Sequence, residues 1–104
     1  MRPSWVVWVL LMTALSLPVM VHAEPRVARG TALANACAAC HGPDGHSQGA
    51  IPSIASLPTQ DFIAALQAFR ADARKGTVMN LIAKGLDDTD INAVAAYFAT
   101  LRQR

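Results

Sequence analysis

The chain has 104 residues, 53% of them hydrophobic and 15% charged, with nine Lys or Arg against seven Asp or Glu for a formal net charge of +2. That length excludes two ordinary globular domains, so one domain with one site is expected. The charge is small and no basic run is interleaved with aromatics, which argues against a nucleic-acid partner.

The apolar excess is concentrated at the N-terminus. Arg2 supplies a positive start, residues 5–19 are apolar apart from Thr13, Ser16 and Pro18, and Val21-His22-Ala23 puts small or modest side chains before Glu24. This is the layout of a secretory signal peptide. Cleavage is expected after Ala23, making residues 1–23 a leader and residues 24–104 the mature domain, exported to the periplasm. The rival is an uncleaved membrane anchor; the run falls short of the roughly 20 residues that a spanning helix needs, and Pro18 near its end suits processing better. No membrane association is expected once the leader is removed.

A domain as small as residues 24–104 gains stability from disulfides, metals or a cofactor more often than from a large core. Both Trp residues lie in the leader and Ala is abundant beyond it, which leaves room for a large apolar group.

Residues 26–37 contain good helix formers, with Val27, Leu33 and Ala34 among the apolar positions, and form the first expected helix. At its end stands Cys37-Ala38-Ala39-Cys40-His41, the C-x-x-C-H pattern of covalent c-type haem attachment. The spacing has a physical reason. Two thiols about one helical turn apart can add to the two vinyl groups on one porphyrin edge, and the following imidazole then points at the iron. Three rivals use the same cysteines: a structural disulfide, a thioredoxin-like redox pair, and half of a zinc site. A zinc site wants two more ligands, and the mature chain offers only His46. A thioredoxin-like pair needs strands alternating with helices, which this Ala-rich chain does not show. An export signal agrees with haem attachment, which takes place outside the cytoplasm.

Residues 42–58 hold Pro43, Pro52 and Pro58 with Gly42, Gly45 and Gly49, so this stretch is expected to be loop. Within it Ile51-Pro52-Ser53-Ile54 is apolar enough to line a cofactor pocket. Thr59 is placed to cap a helix through Ala73, with Phe62, Leu66, Phe69 and Ala73 on its buried stripe and Gln60, Gln67, Arg70 and Arg74 facing away.

Electron-transfer cytochromes usually set a Met opposite the His, which raises the reduction potential. Met1, Met12 and Met20 belong to the leader, leaving Met79 as the one mature methionine. A lone Met is ordinarily core filler, but Met79 sits in a Gly-containing segment, Lys75-Gly76-Thr77-Val78-Met79-Asn80, between two helical patterns, where a side chain is free to be presented to iron. His46 is the competing ligand. It stands five residues after His41 in a turn-forming stretch, on the same side of the haem, and is expected to be an exposed loop residue.

Asn80 to Lys84 reads as a short helical turn ended by Gly85. A last helix starts at Asp87, with Asp90 as its capping-box partner and Ile91, Val94, Ala95, Phe98 and Leu101 as its buried face. Nothing alternates at period two, so the fold class is all-α without a sheet.

Together, Cys-Ala-Ala-Cys-His-Gly, a Pro eleven residues after the His, a lone Met in a loop and a C-terminal helix with an aromatic resemble class I cytochrome c across the whole mature chain. The resemblance implies that fold's few helices wrapped around one covalently bound haem. It further implies that the Pro52 backbone carbonyl accepts from His41, fixing the ring and strengthening the ligand, and that Tyr97 or Phe98 packs on the first helix near Gly30. The cofactor-binding set is then Cys37, Cys40, His41, Pro52 and Met79, with His41 and Met79 on the metal. More narrowly, residues 49–55 and 77–85 are similar to the haem subunit of flavocytochrome c sulfide dehydrogenase, which implies a flavoprotein as redox partner. Members of that family with two haems differ from this chain, which has one attachment motif, and a free soluble carrier is the alternative.

Three functions are compatible with these residues. An electron carrier keeps both axial ligands, so no catalytic residue is expected; a peroxidase or gas-binding haem enzyme needs an open sixth position; a thiol redox protein would carry no haem. For the carrier, Ile51, Val78 and Lys84 are expected around the exposed haem edge where a partner docks.

Overall fold

The computed structural model describes residues 25–104, together with Pro18. The expected leader, residues 1–23, therefore lies outside the described residues apart from Pro18. Among the described residues, four α-helices follow in order: α1 (Pro25–His41), α2 (Thr59–Arg70), α3 (Met79–Lys84) and α4 (Asp88–Arg102), with one 3-10 turn at Pro43–Gly45. Among the described residues there is no strand, as the lack of period-two alternation predicts.

Helix α1 runs four residues past its expected end and takes in the whole Cys37–His41 motif. It packs against α4, and the closest approach is at Gly30. A Cβ built on Gly30 would lie 2.5 Å from the Ala93 carbonyl oxygen, so only hydrogen fits at that crossing. The residue nearest Gly30 is thus Ala93. Arg29, beside Gly30, pairs with Asp90 and ties the two helices a second time.

Helix α2 starts at Thr59, but Thr59 does not cap it. Pro58 holds the N-cap position without a side-chain bond, and the Thr59 hydroxyl accepts from Arg102 Nη2 at 2.7 Å. The helix also ends at Arg70, three residues short of Ala73. Asp72 has φ 56, in the left-handed region. That conformation ends the helical run, and it leaves Ala73 exposed and off the apolar stripe. Phe62 and Leu66 are buried as expected, and Phe69 is half-buried.

Helix α4 begins with the expected capping box. The Asp87 carboxylate accepts from the Asp90 backbone N–H at 2.8 Å, while the Asp90 carboxylate accepts from the Asp87 N–H at 3.4 Å. Ile91, Val94, Ala95 and Phe98 form its buried face, joined by Ala93; Leu101 is half-buried. Phe98 meets Phe62 of α2 with ring centroids 5.4 Å apart, and Tyr97 edge-on at 5.6 Å.

The core is rich in alanine. Ala34, Ala55, Ala83, Ala93 and Ala95 are all buried in it, and among the described residues the only large side chains below 2% exposure are Phe98, Ile91 and Val94. Meanwhile Val27, Ile51, Val78, Leu81 and Ile82 stand 45–78% exposed on the polypeptide surface. None of the described helices is long and apolar enough to cross a membrane.

Candidate functional site

The last turn of α1 carries Cys37, Cys40 and His41. Both cysteines are free thiols, Cys37 half-buried and Cys40 exposed, so the disulfide alternative is not realised. Burial pushes the Cys37 thiol above its usual value, and its sulfur packs on the core. Among the described residues no group of three or more His, Cys, Asp or Glu could hold a metal ion.

His41 is 9% exposed, and its Nδ1 lies 2.6 Å from the Pro52 carbonyl oxygen. A carbonyl only accepts, so Nδ1 carries the proton and donates, leaving the Nε2 lone pair for a metal. The loop that brings Pro52 there is tied at its root. Gly42 closes α1 by donating to the Ala38 carbonyl at 2.9 Å, and its φ of 88 is open only to glycine; a Cβ would collide with the His46 carbonyl. The Gly45 carbonyl then accepts from Ile54 N–H at 2.9 Å and Ala55 N–H at 3.1 Å, closing the loop on itself. Ser53 Oγ accepts from the Ser47 N–H at 2.8 Å, a further tie beside Pro52. His46 caps the 3-10 turn and is exposed, as expected of a loop residue.

Met79 is the first residue of α3, half-buried against the core. Its neighbour Asn80 is a junction that sequence reading did not single out. Asn80 Nδ2 donates to the carbonyls of Phe69 at 3.1 Å and Arg74 at 2.7 Å and to Asp72 Oδ1 at 3.3 Å, while Oδ1 accepts from Gly76 N–H at 2.8 Å. Lys84, expected around the exposed haem edge, pairs with Asp72 at 2.6 Å while its side chain stays 47% exposed. That hydrogen bond is the main reason the Asp72 carboxyl sits below its usual value. Ile51 and Val78 are exposed, at 45% and 54%.

The donor set is therefore two free thiols on one helical turn, an imidazole with Nδ1 already committed, and a thioether on a separate short helix. Exposed Ile51, Val78 and Ile82 add apolar surface of the kind a large flat cofactor would cover. These residues fit a haem. The family model for cytochrome c matches residues 27–102.

The chain belongs to the cytochrome c family.

Covalently bound haem c follows from that membership, and the all-helical arrangement is that of the small class I cytochrome c fold. The cytochrome subunit of sulfide dehydrogenase from Chlorobaculum tepidum is 40% identical over 76 residues, covering 73% of this chain and 69% of that protein. The thiosulfate dehydrogenase electron acceptor of Stutzerimonas stutzeri is 40% identical over 72 residues, 65% of this chain, which spans only 33% of that protein's length. Cytochrome c-554(548) of Halomonas halodenitrificans is 39% identical over 70 residues, 62% of this chain and 82% of its own. The relatives are carriers or electron-transfer subunits.

Proposed function

We propose that this cytochrome c domain transfers single electrons through one haem, bonded to Cys37 and Cys40 and ligated by His41 and Met79. The observation that supports His41 as a ligand is the 2.6 Å contact between its Nδ1 and the Pro52 carbonyl. Bound haem supplies a one-electron exchange between ferrous and ferric iron. The chain's part is to keep the surroundings of that exchange unchanged. The Pro52 carbonyl holds His41 in one tautomer and one orientation and makes Nε2 a stronger donor. Met79 supplies a soft, neutral thioether, which favours the ferrous state relative to a second imidazole. With both positions taken, no substrate reaches the metal, which separates this reading from a peroxidase or gas carrier.

The domain works outside the cytoplasm in this reading, delivered to the periplasm by residues 1–23. Its electron donor is a flavoprotein of sulfide oxidation, supported by the 40% identity to a sulfide dehydrogenase cytochrome subunit. A second donor is favoured by two relatives that are electron acceptors of thiosulfate dehydrogenases. Reduction of the ferric protein by each purified dehydrogenase separates them.

The ligand assignment is tested by Met79→Ala. Haem should remain attached while the reduction potential falls markedly; an unchanged potential overturns Met79 as ligand. Ready binding of carbon monoxide by the ferrous wild-type protein at neutral pH would overturn the carrier reading itself.

A further inference from the structure

We propose that Asn80 is a positioning residue that latches Met79 at the iron and so sets how readily an outside ligand displaces it. The inference rests on Met79 being the second axial ligand.

Helix α3 has six residues, and its N-cap Val78 offers no side-chain bond. So short a helix does not hold itself together in water. Met79 opens this helix, so its placement depends on tertiary ties rather than on helix propensity. The segment before it, residues 71–78, is exposed throughout. Buried packing therefore contributes little to holding that segment.

Backbone bonds back to α2 hold residues 71–74, and Asn80 ties the rest of the segment to them. Its amide uses both donor hydrogens and its oxygen to bind the end of α2 and the descending loop at Phe69, Asp72, Arg74 and Gly76. Three of these four partners are backbone groups, so the side chain fixes chain path. The path it fixes is unfavourable by itself, because Asp72 is held at φ 56 without being glycine. Lys84, at the far end of α3, adds a bond to the same Asp72 carboxylate. Arg70 clamps the other flank, donating to the Leu86 carbonyl at 3.1 Å and to Asp88 at 2.6 Å. Of these, only Asn80 is adjacent to Met79.

Removing that amide raises the fraction of molecules in which the segment around Met79 has opened. An added ligand that binds only the opened state then gains apparent affinity in proportion to that fraction. Such opening needs no global unfolding, and this separates a latch from a residue that only stabilises the fold.

The test is an imidazole titration of the ferric holoprotein, followed by loss of the thioether-to-iron charge-transfer band, in wild type, Asn80→Ala, Asp87→Ala and Met79→Ala. Asp87→Ala removes a cap on α4, a comparable structural loss on another helix. Asn80→Ala should bind imidazole about tenfold more tightly, the factor expected for one hydrogen bond lost net, while Asp87→Ala stays near wild type. If Asn80→Ala yields too little holoprotein, Asn80→Asp keeps the acceptor for Gly76 and loses both donors, and should shift in the same direction. Unchanged affinity in the Asn80 variants, or an equal gain in Asp87→Ala, overturns the latch while leaving Met79 as ligand. A wild type without the thioether band, whose imidazole affinity Met79→Ala does not change, overturns the ligand assignment and the latch with it.

Discussion

Arg29 Nε donates to Asp90 Oδ1 at 2.8 Å and Nη2 to Oδ2 at 3.3 Å, joining the start of α1 to the start of α4 across 61 residues of sequence. Asp90 is 8% exposed. The Arg29 hydrogen bond is the main reason its carboxyl sits below the usual value, with the Asp87 backbone N–H contributing. A depressed carboxylate stabilises the fold fully above its unfolded pKa of about 3.9, and that contribution is lost as pH falls through the lower folded value. Asp90→Asn should therefore melt below wild type at pH 6, and the gap should close in acid. Melting temperatures from neutral pH to below pH 3 check this; a constant gap would show that the charge is not what matters.

At the same crossing, Gly30→Ala should destabilise by about 1–3 kcal/mol, the usual range for forcing a methyl into a filled contact. The obstructing atom is the Ala93 backbone carbonyl, which no rotamer change can move. Denaturant unfolding of the holoprotein measures it, and an unaltered midpoint would mean the helices separate easily.

Phe98 is 1% exposed, touches the Phe62 and Tyr97 rings, and backs Gly45 at the root of the His41 loop. Phe98→Ala should cost about 3–5 kcal/mol. A cost under about 1 kcal/mol would be typical of a surface substitution rather than a core one.

Loosening the Pro52 loop should move the potential upward, opposite to Met79→Ala. Ser53→Ala removes the bond from the Ser47 N–H, weakening the hold on the carbonyl that strengthens His41 as a donor. A poorer donor stabilises ferric iron less. The expected rise is smaller than the ~59 mV that corresponds to a tenfold change in a one-electron equilibrium. Voltammetry reads the sign directly, and a fall would contradict the role given to the Pro52 carbonyl.

Cys37→Ala and Cys40→Ala should each impair maturation rather than tune the product. Haem retained after denaturing electrophoresis is the measure. Wild-type yields from both variants would mean that the thiols are not the attachment points.

What could be read from sequence here was what is local. The Asp87 and Asp90 box lies within one turn, and the Cys37–His41 motif states its chemistry in five residues. The end of α2 was not legible, because Ala71 and Ala73 favour helix and the turn at Asp72 is stabilised from Asn80 and Lys84, eight and twelve residues away. The Arg29 to Asp90 pair and the bond from Arg102 to Thr59 are likewise invisible to periodicity. The contact of His41 with Pro52 came from a family likeness, since nothing in a spacing of eleven says that a carbonyl must point inward. Met79 emerged by elimination, but the side chain that fixes its approach did not, because a surface Asn ordinarily signals only a turn or a cap.

The alanine-lined core has a consequence for how this molecule comes into being. Half of the buried apolar side chains among the described residues are alanine, so the polypeptide alone gains less by collapsing on itself than a core of larger side chains would, and acquisition of the final shape is expected to be coupled to the covalent modification. A defect in haem supply would show as scarcity of the protein, cleared by proteases, rather than as accumulation of an inactive form.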